Sequence, residues 1–206
     1  MLLIGLTGSI GMGKSTVAQR FRDNGIRVCD ADALVHELYA GKAVGPIEAA
    51  FPGTTIDGRV DRQKLGAVLL KAPDRFRELE AIVHPLVHRA EAECLLVAKQ
   101  RGDAVAVLEI PLLFETGGEK RVDVTVVVSA TAALQKARVL ARPGMTEKKF
   151  AQIVSRQMPD EEKRRRADFV VDTATSIDQT YEQIDRLIAA LRLRRDGMAY
   201  ERYWSV

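Results

Sequence analysis

The chain has 206 residues, with 31 basic and 28 acidic side chains and a formal net charge of +3, too mild for a nucleic-acid coat. An apolar fraction of 47% with only 5% aromatics provides a core of Leu, Val, Ile and Ala, enough for one compact domain with an insertion. No apolar stretch approaches the ~18 residues of a membrane span, no basic region precedes the opening apolar run as in a signal peptide, and Cys29 and Cys94 form no C-x-x-C pair, so two reduced core thiols in a cytosolic protein are expected.

The first predicted element is a buried strand over 2–7. It runs straight into Gly8-Ser9-Ile10-Gly11-Met12-Gly13-Lys14-Ser15, which matches G-x-x-x-x-G-K-[ST] without a mismatch. A helix-like stretch follows, with Val17 and Phe21 four residues apart. Strand, loop and helix are the context this phosphate-binding loop requires. Gly8, Gly11 and Gly13 are expected to take positive φ and pass close to phosphate oxygens. Successive N–H groups, the Met12 and Thr16 neighbourhood included, then line one concavity at a helix N-terminus. Lys14 reaches the β- and γ-phosphates and the Ser15 hydroxyl binds Mg²⁺. The chain is expected to bind a nucleoside triphosphate.

A second strand is predicted over 27–30, ending in Asp30-Ala31-Asp32. A carboxylate there, beside the γ-phosphate site, can accept a proton from an attacking hydroxyl or hold a metal-bound water. The alternative is that Asp32 only caps a following helix over 33–39, although Asp30 suits a capping role better. About 70 residues then separate this strand from the next, too many for one crossover. Phe76, Leu79, Val83, Leu86 and Ala90 recur at helical spacing, so a helical insertion is expected. Inside it, His84-Pro85 is either deliberate or a helix start, since proline costs a helix interior about 3 kcal/mol. His84 either donates to a substrate phosphate or caps a turn.

The third strand, 104–109, closes on Glu109, where an acid is placed either to contact Mg²⁺ through water or to bond the phosphate-loop backbone. Pro111 and the Leu112-Leu113-Phe114 run read as core or pocket wall. After a fourth strand over 123–129 comes a basic helical excursion over 132–166, expected to close over phosphates as a lid. In it, Arg138 and Arg142 form an i, i+4 pair suited to bidentate phosphate contacts. Most of Lys163-Arg164-Arg165-Arg166 reads as solvated surface. A fifth strand over 168–172 and a final helix carrying Ile177, Tyr181, Ile184, Ile188 and Leu191 on one face complete the chain.

Continuous apolar strands separated by helices indicate an α/β fold with a parallel sheet covered on both faces. The expected division is a nucleotide-binding core over 1–31, 104–131 and 167–206, an insertion over 32–103 and a lid over 132–166. No guanine-recognition N-K-x-D follows a late strand, which argues against a GTPase switch.

The motif set resembles the dephospho-CoA kinase family. It comprises Thr7 through Thr16, Asp30-Ala31-Asp32, His84-Pro85-Leu86-Val87, Pro111-Leu112-Leu113-Phe114-Glu115, Gln135 with Arg138 and Arg142, Gln157, and Ala167 through Asp172. The phosphate loop alone would identify only a superfamily; the rest of the set is far more specific. The resemblance implies a P-loop three-layer α/β/α fold like that of nucleoside-monophosphate kinases, with a five-stranded parallel sheet, a helical CoA-binding insertion and a lid. It implies ATP-dependent phosphorylation of the ribose 3′-hydroxyl of dephospho-CoA, with Mg²⁺, to give CoA and ADP. By position, Lys14, Asp32, Arg138 and Arg142 become the catalytic set. Gly8, Gly11, Met12, Gly13, Lys14, Ser15 and Thr16 bind ATP. Asp32, His84, Leu112 and Glu115 lie on the acceptor side. The implied partners are ATP and dephospho-CoA, with no nucleic acid and no membrane, in a cytoplasmic monomer. Three positions depart from the family pattern: Thr173 where Asn is frequent, His88 where Arg is common, and Glu109 where Asp is frequent.

Overall fold

The computed structural model describes residues 1–194 and 197–199, so most of the 198–206 tail lies outside the described residues. In chain order the elements are β1 (Leu2–Thr7), α1 (Lys14–Asp23), β2 (Arg27–Asp30), α2 (Ala31–Leu38), α3 (Val44–Ala50), β3 (Thr55–Ile56), β4 (Arg59–Val60), α4 (Arg62–Lys71) and α5 (Phe76–Gln100). They continue with β5 (Val105–Glu109), β6 (Val124–Ser129), α6 (Ala132–Leu140), α7 (Glu147–Val154), α8 (Asp160–Arg166), β7 (Phe169–Asp172) and α9 (Ile177–Arg192). Two compact units result, Met1–Cys29 with Leu95–Val206, and Asp30–Cys94.

The larger unit is built on a five-stranded parallel sheet of a three-layer α/β fold, in the order β2-β5-β1-β6-β7. All six residues of β1 and all six of β6 are buried, as expected of strands covered on both faces. The pleat sends Leu2, Ile4 and Leu6 to one face. There they join Val124, Val126 and Val128, Val17 and Phe21 of α1, and Ile184, Ile188 and Leu191 of α9 in one apolar cluster. Each such side chain contributes about 1.5–3 kcal/mol by leaving water. On the opposite face Gly5 leaves room for its neighbours: a Cβ there would lie 3.0 Å from Leu113 and Val122. α9 begins with a reciprocal capping box between Ser176 and Gln179. Arg20 of α1 donates through Nε to Asp185 of α9 at 2.9 Å, and that contact holds the Asp185 carboxyl below the usual carboxylate range.

This order puts a topological switch point at β1, because the chain leaves β1 toward β2 on one side and β6 pairs on the other. The register sets Leu6 beside Glu109 and Ser129 beside Asp172. The loops following β1, β5, β6 and β7 therefore share the carboxyl edge of one sheet.

The smaller unit packs Leu38, Ile47, Phe51, Val60, Leu65, Leu69 and Val83 into its own core. It is mostly helical, as the spacing predicts, but also holds the two-stranded pair β3–β4, which the periodicity did not indicate. Two-residue strands carry no alternation to detect. The Asp57-Gly58 dipeptide between them, with φ of 49° and 72°, is the signal that was available. Pro85 does not start a helix: α5 runs through it, leaving the Ala81 carbonyl without its i+4 donor. The cysteine expectation also needs correction. Neither Cys29 nor Cys94 is a free thiol, since both are disulfide-bonded. Separation in sequence, on which that expectation rested, does not govern pairing. Among the described residues no helix is long and apolar enough to cross a membrane.

Candidate active site

The loop between β1 and α1 has the backbone its glycines predict, with one correction. Gly11 and Gly13 hold φ of 77° and 89°, where a side chain would be strained. Gly8 is not among the positive-φ residues. It is needed for close approach, because a Cβ there would lie 2.7 Å from the Val128 carbonyl oxygen. Met12 N–H donates back to Ser9 O at 3.1 Å, and Thr16 N–H to Gly13 O at 3.0 Å, which closes the loop onto the first turn of α1. Ser15 is exposed in that first turn and Thr16 is half-buried. Met12 is buried, its sulfur accepting from Ala130 N–H at 3.1 Å.

Lys14 directs its ammonium to Glu109 Oε1 at 2.8 Å, and Arg22 lies 3.5 Å from Glu109 Oε2. The Glu109 side chain is only 5% exposed, so it is a buried carboxylate between two cations. Of the two roles considered for Glu109, a bond to the loop backbone is not found among the described residues. Its carboxylate meets the loop through the Lys14 side chain instead.

The basic excursion is tied to this loop at several points. Gln157 Oε1 accepts from Ile10 N–H at 3.1 Å, and Gln135 Nε2 donates to Ile10 O at 2.9 Å. Arg138 donates to Thr173 Oγ1 at 3.0 Å and to Thr173 O at 2.8 Å. Thr173 Oγ1 donates in turn to Met12 O at 2.7 Å. Like the amide frequent at that position, its hydroxyl supplies both a donor and an acceptor.

The expectation that Arg138 and Arg142 share a helix face is corrected. α6 ends at Leu140, and Arg142 lies in the turn beyond it. Pro143 disfavours helical geometry at the residue before it, and Gly144 follows with φ of 73°. Arg138 is half-buried and bonded, whereas the Arg142 side chain is exposed.

Glu115, expected on the acceptor side, is bonded within the protein through one carboxylate oxygen. Its Oε1 accepts from Met158 N–H at 2.8 Å and lies 2.9 Å from Lys163 Nζ. These contacts tie the turn after β5 to the base of the excursion. Lys163 is 0% exposed, so the basic run at 163–166 is not all solvated surface. Arg165 and Arg166 pair with Glu162, as a surface run would. The signal missed was register: Lys163 takes the inward face of the short helix α8. Leu112 is partly exposed, at 39%, in the turn after β5.

In the smaller unit, Asp30 rather than Asp32 is the cap of α2. Its carboxylate accepts from Asp32 N–H at 2.9 Å and Ala33 N–H at 3.1 Å. Asp32 is thereby left in the first turn with an exposed side chain. His84 is exposed on α5 and stacks on His88, with ring centroids 6.5 Å apart. Among the described residues no group of three or more His, Cys, Asp or Glu side chains is arranged to hold a metal ion.

Comparison with known proteins gives a consistent result. The family model described as dephospho-CoA kinase matches residues 2–179. Dephospho-CoA kinases of Rhizobium etli and Agrobacterium fabrum are 57% and 56% identical to the chain, over 94% and 93% of its length and 96% and 98% of theirs. Among solved structures, the Thermus thermophilus protein TT1252 is similar with a TM-score of 0.78 and 37% identity, covering 92% of this chain and 97% of that one. Dephospho-CoA kinase from Campylobacter jejuni has a TM-score of 0.62 at 20% identity, over 92% and 96%, a likeness of fold.

Proposed function

The chain belongs to the dephospho-CoA kinase family, and from that membership we propose how its residues divide the reaction. It is a kinase that phosphorylates dephospho-CoA, the final step of coenzyme A biosynthesis. ATP is the donor, the ribose 3′-hydroxyl the acceptor, and CoA and ADP the products. The observation that carries the mechanism is the loop from Gly8 to Ser15 at the switch point of the sheet, with its lysine beside a buried acid.

The loop N–H groups bind the phosphates and Lys14 stabilises charge on the transferring phosphoryl group. To do so Lys14 exchanges Glu109 for the phosphate oxygens, so Glu109 holds it in the absence of nucleotide. Ser15 fits Mg²⁺, being an exposed hard oxygen donor in the first turn of α1. When bound with ATP, Mg²⁺ supplies neutralisation of phosphate charge. Asp32 accepts or orients the proton of the acceptor hydroxyl, supported by its exposed position in the Asp-Ala-Asp turn. His84 belongs to acceptor binding, supported by its exposure on α5.

The segment over 141–156 acts as the lid. Its roots are held by Gln135, Arg138, Gln157 and Glu115, and the Pro143-Gly144 turn provides the joint. Arg142 then reaches the phosphates on closure, while Arg138 anchors the base. Lysine at either position keeps the charge but loses the planar fork. Arg142→Lys and Arg138→Lys are each expected to lose roughly tenfold or more in kcat. Hydrogen exchange over 141–156 is expected to slow with a bisubstrate analogue. Unchanged exchange with full activity of both variants would assign the lid elsewhere. The acceptor is tested by coupling ADP release to NADH oxidation with dephospho-CoA, AMP and adenosine in turn.

A further inference from the structure

A phosphate cradle made of backbone N–H groups works only if the neighbouring carbonyls point away from the anion. Each peptide unit is planar and trans, so the carbonyl of one residue and the N–H of the next point in opposite directions. Units next to glycine reorient readily, and both Gly11 and Gly13 hold positive φ. Two such units are pinned from outside the loop. Gln135 Nε2 holds the Ile10 carbonyl at 2.9 Å and Thr173 Oγ1 holds the Met12 carbonyl at 2.7 Å. Both side chains are buried, Gln135 at 7% and Thr173 at 5% exposure.

The Thr173 hydroxyl has one proton to give. Arg138, which can only donate, occupies its acceptor side at 3.0 Å. Of its two carbonyl neighbours, Met12 O at 2.7 Å is closer than Ser129 O at 3.3 Å. The proton is therefore committed to Met12 O, and Arg138 fixes the hydroxyl in that sense.

We propose that Gln135 and Thr173 are positioning residues that lock the 10–11 and 12–13 peptide planes, so that the N–H groups of Gly11 and Gly13 are aimed into the phosphate cradle before nucleotide arrives. Gln135 sets the first plane. Thr173, held by Arg138, sets the second. The inference rests on the nucleotide-binding role of the loop and is independent of the acceptor.

The test uses the full chain labelled with ¹⁵N-glycine and titrated with ADP. In the parent protein the Gly11 and Gly13 amide resonances both shift on binding. Thr173→Val removes the hydroxyl at similar volume. It is expected to weaken ADP by roughly tenfold and to suppress the Gly13 response while Gly11 still responds. Gln135→Met is expected to do the reverse. Thr173→Ser, which keeps the hydroxyl, stays within about twofold of the parent. Thr173→Ala gives the same comparison if the valine variant does not fold. Three results would overturn the proposal: parent-like ADP affinity in both variants, joint loss of the two glycine responses in either one, or a serine variant as weak as the valine variant. Failure of the parent itself to bind ADP would overturn the nucleotide-binding role, an outcome distinct from failure of the peptide-plane lock.

Discussion

Lys14→Ala is expected to lower kcat by about 10²-fold or more, a larger effect than on the KM for ATP. Charge on the transferring phosphoryl group is best met by a fixed cation, so losing that cation is felt most where the charge is spread between donor and acceptor. The ground-state complex keeps the loop N–H groups and loses less. Among the described residues, the variant also leaves Glu109 with only the Arg22 guanidinium, at 3.5 Å. A buried carboxylate deprived of its nearest partner costs stability, so the rate is to be read on protein shown to be folded. Near-normal kcat with only a raised KM would contradict a transition-state role, because that pattern reports uniform binding.

Asp32→Asn is expected to reduce kcat by about 10²-fold or more while ATP affinity stays near that of the parent. The amide keeps the shape of the carboxylate and removes its basicity. Because Asp30, not Asp32, caps α2, the substitution leaves the helix start intact. A change mainly in the Mg²⁺ dependence of the rate would instead make Asp32 a group acting on the metal's water shell. The contrast with Asp30 provides an internal control. Asp30→Asn retains an acceptor for the two N–H groups and should be far milder.

Much of the fold was legible because the governing signals are local. The first two strands were read with the bounds observed, and the other three start one residue later than expected. Buried parallel strands announce themselves as short apolar runs, and the phosphate loop names its own strand and helix. What was not legible depends on register and on partners distant in sequence. Arg138 and Arg142 have helical spacing, yet Pro143 ends α6 before the second of them. Lys163 sits in a run of four cations, and only the docking of α8 decides that it is the one buried against Glu115. The roles of Gln135 and Thr173 could not be read either, because main-chain carbonyls are invisible in a sequence. Gly8 was read as a conformational glycine when its constraint is the nearby Val128 carbonyl, a tertiary contact.

The central claim is that the phosphate held at Lys14 is delivered to the ribose 3′-hydroxyl of dephospho-CoA. The most direct measurement is mass spectrometry of the product formed from ATP and dephospho-CoA, with the modified position read from its fragments and turnover compared with AMP and adenosine. The expected result is a single added phosphate on the ribose 3′ oxygen and turnover of dephospho-CoA well above that of either competitor. Equal or faster phosphorylation of AMP, or a phosphate at any other oxygen, would contradict it.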